Sequence, residues 1–220
     1  MSRVVLFALV AGLAAGESLD TILAHMDAAA KTSNSFSANL VWRKYTKAID
    51  DTDEQTGTLK LRRSGNRVVG RLDIEKPNTF TWHFMGDMWE KYLPKAQEIQ
   101  VYNVSKVSKS SDQMLLTVFG LTSASIKKNY DAMVSGEETL NGIKTTRLEL
   151  IPKDAKVKKY ISKVELWIPV GQTYAVQQKS IQPNGDYDLH IYNDAKLNPP
   201  LPASAFDFVA PPGTKQQIMN

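Results

Sequence analysis

The chain has 220 residues, 42% of them hydrophobic and 23% charged, with 12 Gly and 10 Pro; that balance excludes a disordered chain, a collagen and a disulfide-stapled miniprotein. It contains no Cys, which excludes disulfides, Cys-based zinc sites, Cys nucleophiles and a lipid attached through an N-terminal Cys. The net charge of +4 is too small for a dedicated nucleic-acid binder, so no nucleic-acid partner is expected, whereas an anionic surface stays open as a partner.

Met1-Ser2-Arg3 carries one positive charge, Val4 to Ala15 holds no charged residue, and Ala14-Ala15-Gly16 precedes Glu17. Charge, short apolar run and small residues in that order predict a cleaved signal peptide over residues 1–16. The run is shorter than the roughly 20 residues needed to span a bilayer. The mature chain, 17–220, is expected to be a single soluble domain outside the cytoplasm and a monomer, held together by core packing because it has no covalent staples.

Ser18 to about Lys31 reads as an amphipathic helix: Leu19, Ile22, Leu23, Met26 and Ala30 recur at helical spacing behind a Ser18 cap. Period-two alternation starts at Phe36 and runs to Trp42. Asp50 to Gln55 reads as an acidic turn. Strands are expected at Gly57–Arg63, Asn66–Ile74, Thr79–Met85, Met88–Leu93 and Glu98–Val104, with Ser64-Gly65-Asn66 as a hairpin turn. Ser110 to about Leu121 has the spacing of a short helix behind a capping box, and Thr122–Asp131 that of a second. Strand patterns resume at Ala132–Leu140, Thr145–Ile151, Ile161–Ile168, Tyr174–Ile181 and Tyr187–Asn193, before a Pro-rich tail containing Phe206 and Phe208. These elements predict a mainly β, α+β fold: one strongly curved antiparallel sheet, an unclosed barrel, with helices on one face.

Catalytic signatures are missing. His25, His83 and His190 stand in unrelated contexts and form no metal-ligand spacing. There is no nucleophile elbow and no Lys-Ser or Lys-Thr phosphate loop. The chain is therefore read as a non-enzyme without metal or cofactor. Two basic clusters, one at Lys60, Arg62, Arg63, Arg67 and Arg71 and one at Lys153, Lys156, Lys158, Lys159 and Lys163, read first as solvated surface and second as contacts for anionic head groups. The strands are rich in large rings. Phe80, Trp82 and Phe84 alternate on one face, and Leu40, Trp42, Trp89, Leu115 and Phe119 add to the apolar stock. Together these eight residues are the candidate lining of an apolar ligand cavity.

Glu75-Lys76-Pro77-Asn78-Thr79-Phe80-Thr81-Trp82-His83 resembles a signature of the outer-membrane lipoprotein carrier family, the LolA-like proteins. The order of other short motifs fits the same family: Ser35-Phe36-Ser37-Ala38, then Trp89, Tyr92 and Pro94, then Phe206-Asp207-Phe208 before Pro211-Pro212-Gly213. The resemblance implies an unclosed barrel with a helical lid over its apolar concave side. It also implies a periplasmic chaperone that takes lipoprotein acyl chains from an inner-membrane ABC-type release complex to an outer-membrane receptor. The absence of Cys points to the soluble carrier rather than that receptor, which is itself a lipoprotein. The family's lid latch is an Arg just before the Pro; here the position is Lys76, which lacks the planar fork of donors, so a weaker latch is expected. The extra strand at Asn66–Ile74 leaves a second cargo open, a phospholipid or glycolipid. A regulatory sensor of the same fold is the third reading and a secreted hydrolase the fourth.

Overall fold

The computed structural model describes residues 17–65, 67–103 and 122–219. The expected signal segment, residues 1–16, and the expected helix at 110–121, with Leu115 and Phe119, lie outside the described residues. Helix α1 spans Leu19–Thr32; the Ser18 hydroxyl accepts from the Thr21 amide, and Ile22, Leu23, Met26 and Ala29 form the buried stripe. Ala29 takes the place expected for Ala30, a one-residue rotation of the apolar face.

Twelve strands follow among the described residues. The first half holds β1 (Ser35–Thr46), β2 (Asp51–Ser64), β3 (Arg67–Lys76), β4 (Phe80–Met85), β5 (Met88–Leu93) and β6 (Glu98–Asn103). After the short helix α2 (Ser123–Asn129) come β7 (Tyr130–Leu140) and β8 (Ile143–Pro152), then the single helical turn α3 (Ala155–Lys158), then β9 (Lys163–Pro169), β10 (Gln177–Ile181), β11 (Tyr187–Leu197) and β12 (Lys215–Met219). They form one sheet in the order β12-β6-β5-β4-β3-β2-β1-β11-β10-β9-β8-β7, and β12 and β7 are its two free edges. The barrel is unclosed, as expected. Every neighbouring pair is antiparallel except β12 with β6.

Several boundaries differ from the sequence reading, and β1 and β11 both run further than expected, to Thr46 and Leu197. Asp51 to Gln55 is strand, not turn, because Asp53 and Glu54 lie opposite Lys44 and Arg43 of β1, and Arg43 Nε reaches Glu54 Oε2 at 2.7 Å. Opposite charges directly across an antiparallel pair support the ladder. The actual turn is Lys47–Ile49 with Asp50 in the left-handed region. β10 begins three residues later than expected, although Val176 already donates to Trp167 and accepts from Tyr192. The Pro-rich tail ends in a strand that the sequence reading lacks, β12.

The sheet carries two cores. One joins α1 and α2 to β7, β8 and β9: Ile22, Leu23, Met26, Ile126, Leu148, Leu150 and Leu166 are all buried there. Asp27 of α1 accepts from the Ser123 amide at 2.7 Å and its hydroxyl at 2.5 Å, which pins the start of α2 to α1. Those two bonds hold the Asp27 carboxyl below the usual carboxylate range. The other core is made by β1 to β5 with Tyr192 of β11, and includes Phe36, Leu61, Phe80 and Phe84. No described helix contributes to it.

Candidate functional site

That second core is where the site lies. Along β1, Phe36, Ala38, Leu40 and Trp42 share the concave face. Pairing then carries the face across the sheet: Ala38 stands opposite Leu59, Leu59 opposite Leu72, and Leu72 opposite Trp82. Phe84 opposes Trp89 across the next hairpin. Packing fills this face at one end and leaves a cleft at the other, about 550 Å³ with its open mouth included. Leu40, Trp42, Leu59, Leu72, Trp82, Phe84, Trp89, His190 and Tyr192 line it.

The aromatic wall is interlocked. Trp89 meets Phe84 edge to face at 4.9 Å and Trp82 at 6.2 Å, while Trp82 and Phe84 stack at 6.4 Å. Such contacts fix ring orientations beyond what area burial alone provides. On the far side Trp42 stacks on His190 at 5.3 Å and donates its indole N–H to Asp188 at 2.8 Å. Its polar atom is thus satisfied and its apolar body faces the cleft.

Two polar atoms here lack partners. His190 is 5% exposed, and its Nδ1 is buried without a hydrogen bond. Burial pushes the His190 pKa down to about 4, and Asp188 opposes that shift only in part. Gln55, opposite Trp42 on β2, also buries an unpartnered oxygen. Burial likewise raises the Tyr192 hydroxyl. At the rim, the Lys91 ammonium lies 4.6 Å from the Phe80 ring and 5.6 Å from the Trp82 ring.

Of the eight residues expected to line a cavity, the structure brings Leu40, Trp42, Trp82, Phe84 and Trp89 to this cleft. Phe80 belongs to the same core, beneath Lys91. Leu59, Leu72, His190 and Tyr192 were missed. The first two carry the strand alternation of their own segments; the last two arrive through the pairing of β11 with β1. Lys76, the expected latch, ends β3 and is exposed, with a cis peptide bond to Pro77.

Arg62 and Arg71 of the first basic cluster are built into the outer face. Arg71 binds Asp73 at 2.8 Å and the Asp207 carbonyl at 2.8 Å, and the Arg62 guanidinium lies over Phe206 at 4.7 Å. Phe208 packs on His83 and Tyr92, so these groups strap the C-terminal tail across β2 to β5. In the second cluster Lys163 is held by Glu149 and Glu165, and Lys153 by Asp131, while Lys156, Lys158 and Lys159 are exposed.

No protein-family profile matches the chain, and no curated protein does. Solved structures do. An uncharacterized conserved protein from Thermus thermophilus superposes with a TM-score of 0.58 at 11% identity, over 91% of this chain and 98% of that one. MucB in the Pseudomonas aeruginosa MucA/MucB complex gives 0.52 at 14% identity, over 86% of this chain and 60% of that one. This chain therefore spans about three fifths of that structure's length. The Mycobacterium tuberculosis lipoprotein LppX gives 0.50 at 14% identity, over 84% and 99%. The chain shares its fold with these three structures. The likeness is one of architecture, and at such identities the site has to be read from its own residues. Among the described residues, no helix is long and apolar enough to cross a membrane, and no group of three or more His, Asp or Glu is placed to hold a metal ion.

Proposed function

We propose that the protein is a periplasmic carrier that shelters the acyl chains of a membrane-derived amphiphile in the concave cleft and releases them at a second membrane. The observation that supports this reading is the open, aromatic-walled cleft on the half of the sheet that α1 leaves uncovered. Each CH₂ withdrawn from water is worth about 0.8 kcal/mol, so an acyl chain gains on the order of 10 kcal/mol from such shelter. Lipoprotein ferrying from inner to outer membrane is the form of the reading that the family resemblance supports. It requires a release complex at one membrane and a receptor at the other.

Three of the four Trp residues line the cleft, which makes their fluorescence the test. A diacyl lipid brominated on its chains is expected to quench more than half of the emission of the mature protein. Quenching no greater than that by free bromide would overturn the carrier reading. Mass spectrometry of what copurifies from the native periplasm then assigns cargo: acylated protein supports lipoprotein ferrying, and free lipid supports the wider reading. The same assay addresses Lys76 as a lid latch. Lys76→Leu is expected to slow release of bound lipid several-fold, and an unchanged release rate removes Lys76 from the mechanism. MucB forms a complex with MucA, so a protein partner in place of a lipid is the outcome to pursue if no lipid quenches.

A further inference from the structure

The cleft is apolar, but one cation stands at its wall without compensation. Lys91 shares the concave face of β5 with Trp89, two residues away. Across the sheet it stands opposite Trp82 on one side and Gln100 on the other. Its ammonium lies over the Phe80 and Trp82 rings. Among the described residues it makes no ion pair.

Burial lowers the Lys91 pKa, and the second influence is another cation, Lys44; no carboxylate offsets either. Lys44 stands on β1 with its ammonium 5.7 Å from the Trp42 ring, so it sits at the same cleft from the opposite wall. Its own cross-strand neighbours are Asp53 and Asp188, and Asp188 already accepts from Trp42. The two lysines therefore differ. Lys44 has acids directly opposite it, whereas directly opposite Lys91 are a ring, Trp82, and an amide, Gln100, which donates to the nearby Glu98.

A partly desolvated ammonium held over aromatic faces keeps a modest cation–π attraction and gains much more from an anion, because the pairing takes place next to a low-dielectric wall. The cleft beside it takes an apolar chain. Resting on the carrier reading above, we propose that Lys91 is the headgroup anchor of the cleft. It binds the anionic oxygen of a lipid headgroup that carries no cation of its own, a phosphate or a carboxylate, whose acyl chain lies along the Trp82, Phe84 and Trp89 wall, with Lys44 as the second cation. The cargo is thereby narrowed from any acyl-bearing amphiphile to an anionic one.

The test uses the mature chain and Trp quenching by lipids brominated on their chains: phosphatidylglycerol, phosphatidylcholine and stearate. Phosphatidylglycerol is expected to reach half-quenching at a concentration about tenfold lower than phosphatidylcholine. The double variant Lys44→Gln, Lys91→Gln is expected to lose that preference. Lys158→Gln with Lys159→Gln, which removes the same charge from the exposed α3 turn, is expected to keep it, and so is Lys91→Arg. The two controls separate a headgroup site from general attraction of a basic protein to an anionic surface. A Lys91-dependent preference shown by phosphatidylglycerol alone assigns the anion as phosphate, and one shared by stearate assigns any terminal anion. Equal half-quenching by the two phospholipids, or a preference that survives in the Lys44, Lys91 variant, overturns the anchor while the carrier reading stands. Absence of quenching by all three lipids removes the carrier reading itself. If the double variant fails to fold, Lys91→Gln alone is read in its place: a preference that drops supports the anchor and one that stays overturns it.

Discussion

Gly57→Ala is expected to destabilise the protein by more than about 3 kcal/mol, the largest loss of any single methyl addition in this sheet. Gly57 sits where the β2–β3 register slips by one residue, between the Thr56–Lys76 and Gly57–Ile74 pairs. A Cβ there runs into the carbonyl oxygen of Asp73 and comes within 2.9 Å of the Ile74 Cα. Both obstacles are backbone, so no rotamer change relieves them. The strands must separate, and Asp73 is already committed: its carboxylate holds Arg71 at 2.8 Å and accepts from the Thr81 hydroxyl at 2.8 Å. Gly57 also lies opposite Leu40 of the cleft, so the damage reaches the site. Gly65→Ala makes the contrast. Gly65 has φ +60, and a Cβ added there would meet nothing within 4 Å, so only left-handed strain applies, about 1 kcal/mol. Urea unfolding of the two variants checks this. If Gly65→Ala proves the more costly, the close approach of β2 to β3 at Asp73 is wrong.

Local rules made much of the fold legible and non-local pairing hid the rest. α1 could be read because cap, stripe and end all lie within Ser18–Thr32. The β2–β3 and β4–β5 hairpins could be read because Gly65 and Gly86 supply positive φ where two alternating segments meet. The start of β2 could not. Asp51 to Gln55 has turn composition, and only the cations of β1 across the ladder make it strand. β12 is five residues of modest β propensity, made a strand by parallel pairing with β6. The site divides in the same way. Trp42, Trp82, Phe84 and Trp89 were visible as rings on one parity of their strands. His190 and Tyr192 were not, because what brings them to the cleft is register with Trp42 and Leu40 from the other end of the chain. The basic cluster around Arg71 looked like free charge, and its partner, the tail at Asp207, is equally distant in sequence.

Acidification from pH 7 to pH 4 is expected to cost the protein about 3 kcal/mol through His190. In the folded chain burial pushes the His190 pKa to about 4, against an ordinary value of 6.5. The neutral ring is therefore the form the fold retains, while the unfolded chain takes up a proton below about pH 6.5. Between those two values the unfolded state binds more protons, so stability rises with pH across the window and is lost as pH falls through it. Above pH 6.5 both states are neutral and the contribution is flat. His83 acts in the same direction, since burial also lowers its pKa, with Arg71 as the next cause. The lowered carboxylates Asp27 and Glu149 start to lose their stabilising effect only as pH falls into the ordinary carboxylate range, so they add to the loss at the acid end of the window and leave its upper part, above about pH 5, to the histidines. His190→Gln is the decisive variant. It is expected to remove most of the loss between pH 6.5 and pH 4 in urea unfolding, while the wild type shows it in full. His190 faces the cleft between Trp42 and Tyr192, so an acyl chain packed against it withdraws the ring further from water and deepens the acid-linked loss. A wild-type stability that stays level down to pH 4.5 shows instead that water reaches the ring, and that the cleft is wetter at Trp42 than its lining implies.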